Sequence, residues 1–553
     1  MNQSGEKYNF IFRPKIINYT IFLFFCSYFI IGINIYKDYG ISIDEPFHRT
    51  SGFYWYLQII DNFFYNFPNI EHLRNSYNKM EWSQDFTQGV FLEYGAFFDL
   101  FATFIENILN LKNFHDIYHL KHFLNFFVFY ISSVVFFYLI KNRFKSNILG
   151  FIAVLFYISS PRIFAESFYN CKDIIFMSFI VFSLFFGLKI LKSFKIKNII
   201  LFALFAALAT SIRSIMGVFT VLLVLSFLII ENLEQKKSVK KNIYILLIFC
   251  LYLFFTYLFW PYLWLDPIDN FITSLKSFAH YKWGGSIFYL GDFVKANNLP
   301  WHYSFVWIGV SNPIIYSILF LFGSYKIFLS FFTNLDKFWK NLNEKLDLVI
   351  LAFFFGPLVA VIIFNSTLYN GWRHLYFIYP ALIYISIFSL NYFLSFKLNR
   401  FYINGIFIII FLSIFINISN IIKLHPFQNI YFNLLFEKKA NTLFDIDYWG
   451  LGNAHSIIKI LDTVNESENV SMGTASFTPL NYSKYIINHK RIKNISFPGT
   501  NNINSDYIFT NYVYEGNPKY KKKYFIPKNY EKFYTLKKGN IIINEIYKKR
   551  ISN

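Results

Sequence analysis

Phe86-Thr-Gln-Gly-Val-Phe-Leu-Glu93-Tyr-Gly-Ala-Phe-Phe-Asp99-Leu-Phe-Ala-Thr-Phe-Ile-Glu106-Asn-Ile-Leu-Asn-Leu111 is the stretch whose placement decides how the chain is threaded. It is apolar enough to be taken for a membrane span, yet three carboxylates recur along it. Charge bias separates the two readings. If the stretch lies in the membrane interface, the basic clusters Lys141/Arg143/Lys145, Lys192/Lys195/Lys197, Lys236/Lys237/Lys240/Lys241, Lys337/Lys340/Lys345 and Lys397/Arg400 all fall on the cytoplasmic side with the N-terminus. If it spans, every cluster is inverted. An interfacial helix is therefore expected, inside a large outer loop over 36–121, with Glu93, Asp99 and Glu106 forming its wet face.

The composition supports a membrane setting. Of 553 residues, 55% are hydrophobic, 23% aromatic and only 15% charged, more apolar surface than a soluble globular chain can bury. The net charge of +20 sits in short clusters between apolar runs and not on one basic face, so no nucleic-acid partner is expected. Apolar runs at 16–35, 122–140, 146–160, 174–191, 199–211, 215–230, 243–260, 306–325, 348–364, 375–394 and 401–422 predict about eleven transmembrane helices, the third and fifth being short for the bilayer. Lys7, Arg13 and Lys15 precede the first run, which lacks a small-residue cleavage site and reads as an uncleaved anchor. The fold class expected is an all-α polytopic membrane protein with interfacial helices in the first outer loop, followed by a small α/β extracytoplasmic appendage. The domains expected are 1–424 and 425–553. Cys26, Cys171 and Cys250 are too scattered for a disulfide framework or a thiol metal site.

Tyr39-Gly-Ile-Ser-Ile-Asp44-Glu45-Pro46 places two carboxylates just past the first span, where one can accept a proton from a substrate; the plain alternative is a solvated helix-end turn stopped by proline. Arg162, Lys172, Arg213 and Arg373 run against the orientation bias and meet the same leaflet as this pair. An arginine at the bilayer centre costs about 2.5–3.5 kcal/mol, less at the edge, so four such cations invite a role: guanidinium and ammonium groups suit a lipid phosphate. Snorkelling, or pairing such as Arg162 with Glu166, is the simpler account of any one of them. The outer loop over 261–312 carries Pro300-Trp301-His302-Tyr303, which reads as an aromatic belt or as a platform under a sugar. His115, His119 and His122 have metal-ligand spacing, but with Lys121 among them and no convergent carboxylate no metal is expected.

Taken together, these segments resemble the C-type, polyprenyl-phosphate-sugar-dependent glycosyltransferases (GT-C), specifically the family of protein O-mannosyltransferases and of bacterial aminoarabinose transferases acting on lipid A, glycosyltransferase family 39. The matching features are Asp44-Glu45, the interfacial helix after them, Pro161-Arg162 with Lys172-Asp173, Pro300-Trp301-His302-Tyr303, Arg373-His374, His425-Pro-Phe-Gln-Asn-Ile-Tyr-Phe-Asn433 and Asp445-Ile-Asp447-Tyr448-Trp449-Gly450. The resemblance implies a transferase that moves a sugar, with inversion, from a polyprenyl-phosphate donor to a lipid, glycan or protein hydroxyl at the periplasmic face of the inner membrane. It implies Asp44 as general base, with Glu45 positioning it or the acceptor. The donor phosphate falls to Arg162, Lys172, Arg213 and Arg373, and other substrate contacts to Asp173, Trp301, His302, Tyr303 and His374. No cofactor is expected. No insert like the extra lumenal domain of the eukaryotic enzymes and no Lys-Asp-Glu-Leu-type tail is seen, which favours a bacterial inner-membrane protein. The rival class is a polytopic lipid or sugar transporter or flippase without transferase activity.

Overall fold

Each long apolar run folds as a helix, because backbone groups in hydrocarbon must be satisfied within their own segment. The computed structural model describes residues 14–64, 70–234, 238–279, 283–333, 337–396, 399–465, 467–500, 504–514 and 524–550. Lys7, Arg13, Lys236, Lys237 and Lys397, used in the charge argument, lie outside the described residues. In chain order the helices are α1 (Pro14–Ile35), α2 (Glu45–Phe63), α3 (Ile70–Asn78), α4 (Ser83–Thr87), α5 (Phe97–Ile108), α6 (Phe114–Phe144), α7 (Asn147–Ser159), α8 (Pro161–Tyr169), α9 (Asp173–Lys192) and α10 (Ile196–Thr210). There follow α11 (Ser214–Glu234), α12 (Val239–Phe259), α13 (Pro267–Ala279), α14 (Tyr303–Ser311), α15 (Ile314–Phe332), α16 (Leu342–Ile363), α17 (Tyr379–Ser395), α18 (Arg400–Leu424), α19 (Ala440–Leu443) and α20 (Asn453–Leu461).

Among the described residues nine of these are long and apolar enough to cross a membrane: α1, α6, α9, α11, α12, α15, α16, α18, and α17 together with the 3-10 turn before it. The two runs that looked short are a bent and a short helix. α7 and α8 form a pair bent by 70°, the geometry of a broken span or a re-entrant loop, and α10 has 15 residues. The break falls at Ser160-Pro161, where Ser160 takes the extended conformation that a following proline imposes. The eleven apolar runs are all helical, but the run at 306–325 is split between α14 and α15, and among the described residues the candidate spans number nine, or ten with the bent pair, instead of about eleven; the chain is a multi-pass membrane protein.

The ambiguous stretch does not span. Its regular part, α5, has 12 residues, about 18 Å of helix against a hydrocarbon core of about 30 Å. The expected wet face is corrected for two of its three carboxylates. Asp99 and Glu106 are only 4% and 5% exposed and point inward, while Phe101, Phe104 and Ile108 on the opposite face are 43–64% exposed. The reason is α2, which presents His48 and Arg49 to α5. The Asp99 Oδ2 lies 3.0 Å from His48 Nδ1, and Glu106 accepts two bonds from Arg49, at 2.5 and 3.2 Å. Gly52 allows this approach: a Cβ there would sit 2.3 Å from the Asp99 carbonyl oxygen.

Beyond α18 the chain first returns to the helical core. Phe427, Ile430, Phe432, Phe444, Tyr448 and Trp449 share one apolar cluster with the spans. A five-stranded sheet follows, built from β3 to β7 after a hairpin of β1 (Ser286–Tyr289) and β2 (Asp292–Lys295) that lies in the loop before α14. That hairpin turns on Leu290-Gly291, both at positive φ, as a two-residue turn matched to strand twist requires. In the sheet, β3 (Val470–Thr474) pairs in parallel with β4 (Ile495–Ser496) and β5 (Tyr507–Thr510). β7 (Ile541–Lys549) pairs antiparallel with β5 and with β6 (Tyr530–Lys538), giving the order β4-β3-β5-β7-β6. Helix α20 contributes Ala454, Ile457, Ile460 and Leu461 to the sheet's own core.

Candidate active site

Helix starts and helix connections, not helix middles, supply the functional side chains. Asp44 occupies the N-cap of α2, yet its carboxylate makes no capping bond. It accepts instead from the Arg373 Nη1, 2.6 Å away, at the start of the turn Arg373–Ile378. Lys172 and Asp173 open α9, where Asn170 Oδ1 takes their backbone N–H groups at 3.3 and 2.8 Å and fixes the turn after the bent span. Arg213 lies in the connection between α10 and α11 and donates to the Asp173 carboxylate. The other oxygen of Asp173 lies 3.9 Å from Arg373 Nη1.

These groups meet at one cavity of about 760 Å³, lined by Asp44, Lys172, Arg213, Arg373 and His374 among apolar walls that include Phe47, Trp82, Phe91 and Met216. The segment after α18 completes it with Asp445, Phe477, Pro479 and Tyr482. Phe364, 63% exposed, stands at its rim and opens it toward the outer surface of α16. Two of the three cations are already balanced, Arg373 by Asp44 and Arg213 by Asp173. Lys172 is buried with no hydrogen-bond partner for its ammonium among the described residues, and it rests 4.6 Å from the centre of the Tyr94 ring. Burial, then the nearby Arg213, bring its pKa down to about 8. Burial also raises the Asp44 carboxyl, but Arg373 and then His48 outweigh it and leave it below the usual carboxylate value. Asp445 accepts from the Phe288 N–H at 2.9 Å with one oxygen and leaves the other unpartnered; burial lifts it to about 7.

The remaining sequence-picked residues lie elsewhere. Glu45 is fully buried behind α2, with one oxygen accepting from the Ser42 N–H at 2.7 Å and the other 3.0 Å from His122 Nε2. Arg162 is buried away from the cavity, donating to the Tyr431 carbonyl at 3.0 Å and to the Tyr448 hydroxyl at 3.2 Å. Trp301 is 67% exposed on the outside. His302 Nδ1 meets the Tyr289 hydroxyl at 2.8 Å, and Tyr303 donates to the Gly371 carbonyl at 2.9 Å, bracing the loop that carries Arg373. None of these five lines the cavity. The three histidines of α6 stay side by side, with ring centres 4.1 Å apart for His115 and His119 and 6.2 Å for His119 and His122, while His122 Nε2 lies 3.0 Å from Glu45 and His115 Nδ1 3.3 Å from Asp116. His48, Asp445, Tyr94 and Tyr482 were missed as site residues. Two of them carried a sequence signal: His48 stands one turn beyond Asp44 on the same helix face, and Asp445 opens the family-like segment 445–450.

Comparison with known proteins bears on the part of the chain that holds two of the three cavity cations, Lys172 and Arg213. Residues 114–260 match the family model described as dolichyl-phosphate-mannose-protein mannosyltransferase. The resemblance to C-type glycosyltransferases read from the sequence is borne out there, over α6 to α12 with Lys172, Asp173 and Arg213; Asp44 and Arg373 fall outside the match. Among solved structures, the crystal structure of ArnT from Cupriavidus metallidurans bound to undecaprenyl phosphate is similar at 9% identity and a TM-score of 0.43, covering 96% of this chain and 98% of that one. No curated protein matches the chain.

Proposed function

We propose that the protein transfers a sugar, with inversion, from a polyprenyl-phosphate donor to an acceptor hydroxyl at the periplasmic face of the membrane. The family match supports sugar transfer. The observation that carries the donor class is the charge left over in the cavity. After Arg373 pairs with Asp44 and Arg213 with Asp173, Lys172 is the cavity cation left without a carboxylate hydrogen-bonded to it among the described residues, and a phosphodiester supplies one negative charge; Asp445, its carboxyl raised to about 7, is partly protonated at neutral pH. The Nε atoms of Arg213 and Arg373 also lack a hydrogen-bond partner among the described residues, but they are shielded, so phosphate oxygens would meet these guanidinium groups at other atoms. Arg162, committed to Tyr431 and Tyr448, we assign to holding α8 against the segment after α18.

In this reading the prenyl tail leaves past Phe364 into lipid while the sugar lies among the aromatic walls. The acceptor oxygen attacks the anomeric carbon beside Asp44 as the bond to the phosphate oxygen breaks, the electron pair leaving with the phosphate. Charge on that phosphate grows as the bond breaks, and the three cations neutralise it, so no general acid is needed. Asp44 accepts the hydroxyl proton late, once the attacking oxygen has been acidified by bond formation. Glu45, held by Ser42 and His122, fixes the turn that aims Asp44. No metal or cofactor is given a part.

The test is purified protein in lipid nanodiscs with a polyprenyl-phosphate sugar and extracts of the cell envelope as acceptor. Release of polyprenyl phosphate together with a glycosylated product of opposite anomeric configuration is expected. Movement of intact donor across vesicles without release would instead make the protein a flippase.

A further inference from the structure

His48 is unaccounted for by the transfer chemistry above, yet it lines the same cavity as Asp44. The two belong to one helix at a spacing of four residues, which sets their Cβ atoms about 5–6 Å apart on one face. His48 is 4% exposed, and its Nδ1 is 3.0 Å from Asp99 Oδ2 across the Gly52 contact. A carboxylate on Nδ1 fixes the tautomer that leaves Nε2 free to take a proton, and it stabilises the imidazolium that results. Asp44, by contrast, is tied to Arg373 at 2.6 Å, which disfavours its protonated form. A free imidazole binds a proton about 2.6 units more tightly than a free aspartate.

We infer that His48, backed by Asp99, is a catalytic residue and the final acceptor of the proton that the attacking hydroxyl gives up. The inference rests on the proposed sugar transfer. The acceptor O–H bond breaks as oxygen bonds to the anomeric carbon, and the leaving electron pair goes to the phosphate. The proton passes from Asp44 to His48 Nε2, so Asp44 ends the step as the carboxylate its partner Arg373 requires. The imidazolium returns the proton to water as product leaves.

The groups facing His48 are Asp44 on its own helix, Asp99 on α5, Lys121 on α6, Cys171 and Lys172 in the turn before α9, and Arg373 across the cavity. His48, Asp99 and Cys171 bring ligand atoms within 4.8 Å of one another, a spacing that can hold a cation. The Lys121 ammonium, buried and 3.9 Å from the second Asp99 oxygen, already supplies positive charge there, so we assign no metal to the cluster.

The experiment is imidazole rescue in nanodiscs. His48→Ala is expected to lower kcat about 10²-fold or more with donor KM little changed, and added imidazole is expected to restore turnover. Asp99→Asn is expected to lower kcat in the same direction. Wild-type turnover in the His48→Ala variant would overturn the inference. So would slow turnover that imidazole does not raise in a variant whose melting temperature and donor binding match wild type. Loss of wild-type activity on chelation, restored by metal and not by imidazole in the variant, would also overturn it. If the wild-type protein transfers no sugar, the parent reading fails and this inference falls with it; a failure of this inference alone shows as normal wild-type transfer with no effect of His48→Ala or no rescue.

Discussion

The two ends of α9, about 30 Å apart, both bury charge and use it differently. At the end near Lys192, Arg143 donates to both oxygens of Asp347, Tyr384 donates to the same carboxylate at 2.6 Å, and Lys345 is held by Glu231 at 2.8 Å and by the Leu191 carbonyl at 3.0 Å. These side chains, drawn from α6, α11, α16 and α17, are satisfied by one another. At the end near Asp173, the Lys172 ammonium, the Nε atoms of Arg213 and Arg373 and one Asp445 oxygen have no hydrogen-bond partner among the described residues. An unpaired polar group in a buried site costs about 1–3 kcal/mol, more if charged, so the fold tolerates it where a ligand supplies the missing partner. The saturated end is a fastening; the unsaturated end is a receptor.

Breaking the comparison begins at Asp44. Asp44→Asn is expected to reduce transfer about 10³-fold while the protein inserts and binds donor normally, measured as polyprenyl phosphate released per folded molecule. Near-normal transfer would remove Asp44 from the chemistry. At the saturated end the effect should fall on stability: Arg143→Met leaves Asp347 buried without its cation and is expected to cost about 3–5 kcal/mol, read as a lower melting temperature, with activity per folded molecule kept. A stable Arg143→Met protein would erase the distinction between the two ends. Lys172→Met is expected to raise donor KM about 10- to 100-fold and to leave stability equal or higher, since it removes an unpaired charge. The cation exists below a pKa of about 8, so the wild-type advantage over this variant should vanish as pH rises through 8. An advantage that persists at pH 9 would place the phosphate elsewhere. The smallest effect is at Asp445. Its carboxyl, raised to about 7 in the fold from about 3.9 in the unfolded chain, contributes its full stability below about pH 4 and loses it progressively as pH rises to about 7. Asp445→Asn should therefore raise the melting temperature by a few degrees at pH 8 and hardly at pH 4.

Much of this was legible because the bilayer imposes it. Eleven apolar runs became helices, and four of the residues that broke the charge bias or stood beside such a residue, Lys172, Arg213, Arg373 and His374, reached one cavity with Asp44. Arg162 broke the same bias and went elsewhere, because the Tyr431 carbonyl and the Tyr448 hydroxyl, some 270 residues later in the chain, were waiting for it. Asp99 and Glu106 were misread for a related reason. Amphipathicity tells which face of a helix is polar but not whether that face meets water or another helix. The deciding facts were His48 and Arg49 on α2 and the glycine that lets α5 approach. The cavity wall given by Phe477 and Tyr482 left no trace in the sequence beyond a polar composition with short strand-like runs.

Helix α5 shows its oily side outward and keeps its carboxylates behind it, so what holds it in place is the surrounding solvent as much as the chain. Stripped of lipid, that side loses its apolar surroundings, and the seat of Asp99 behind His48 is left to the Arg49–Glu106 pair and the close approach at Gly52.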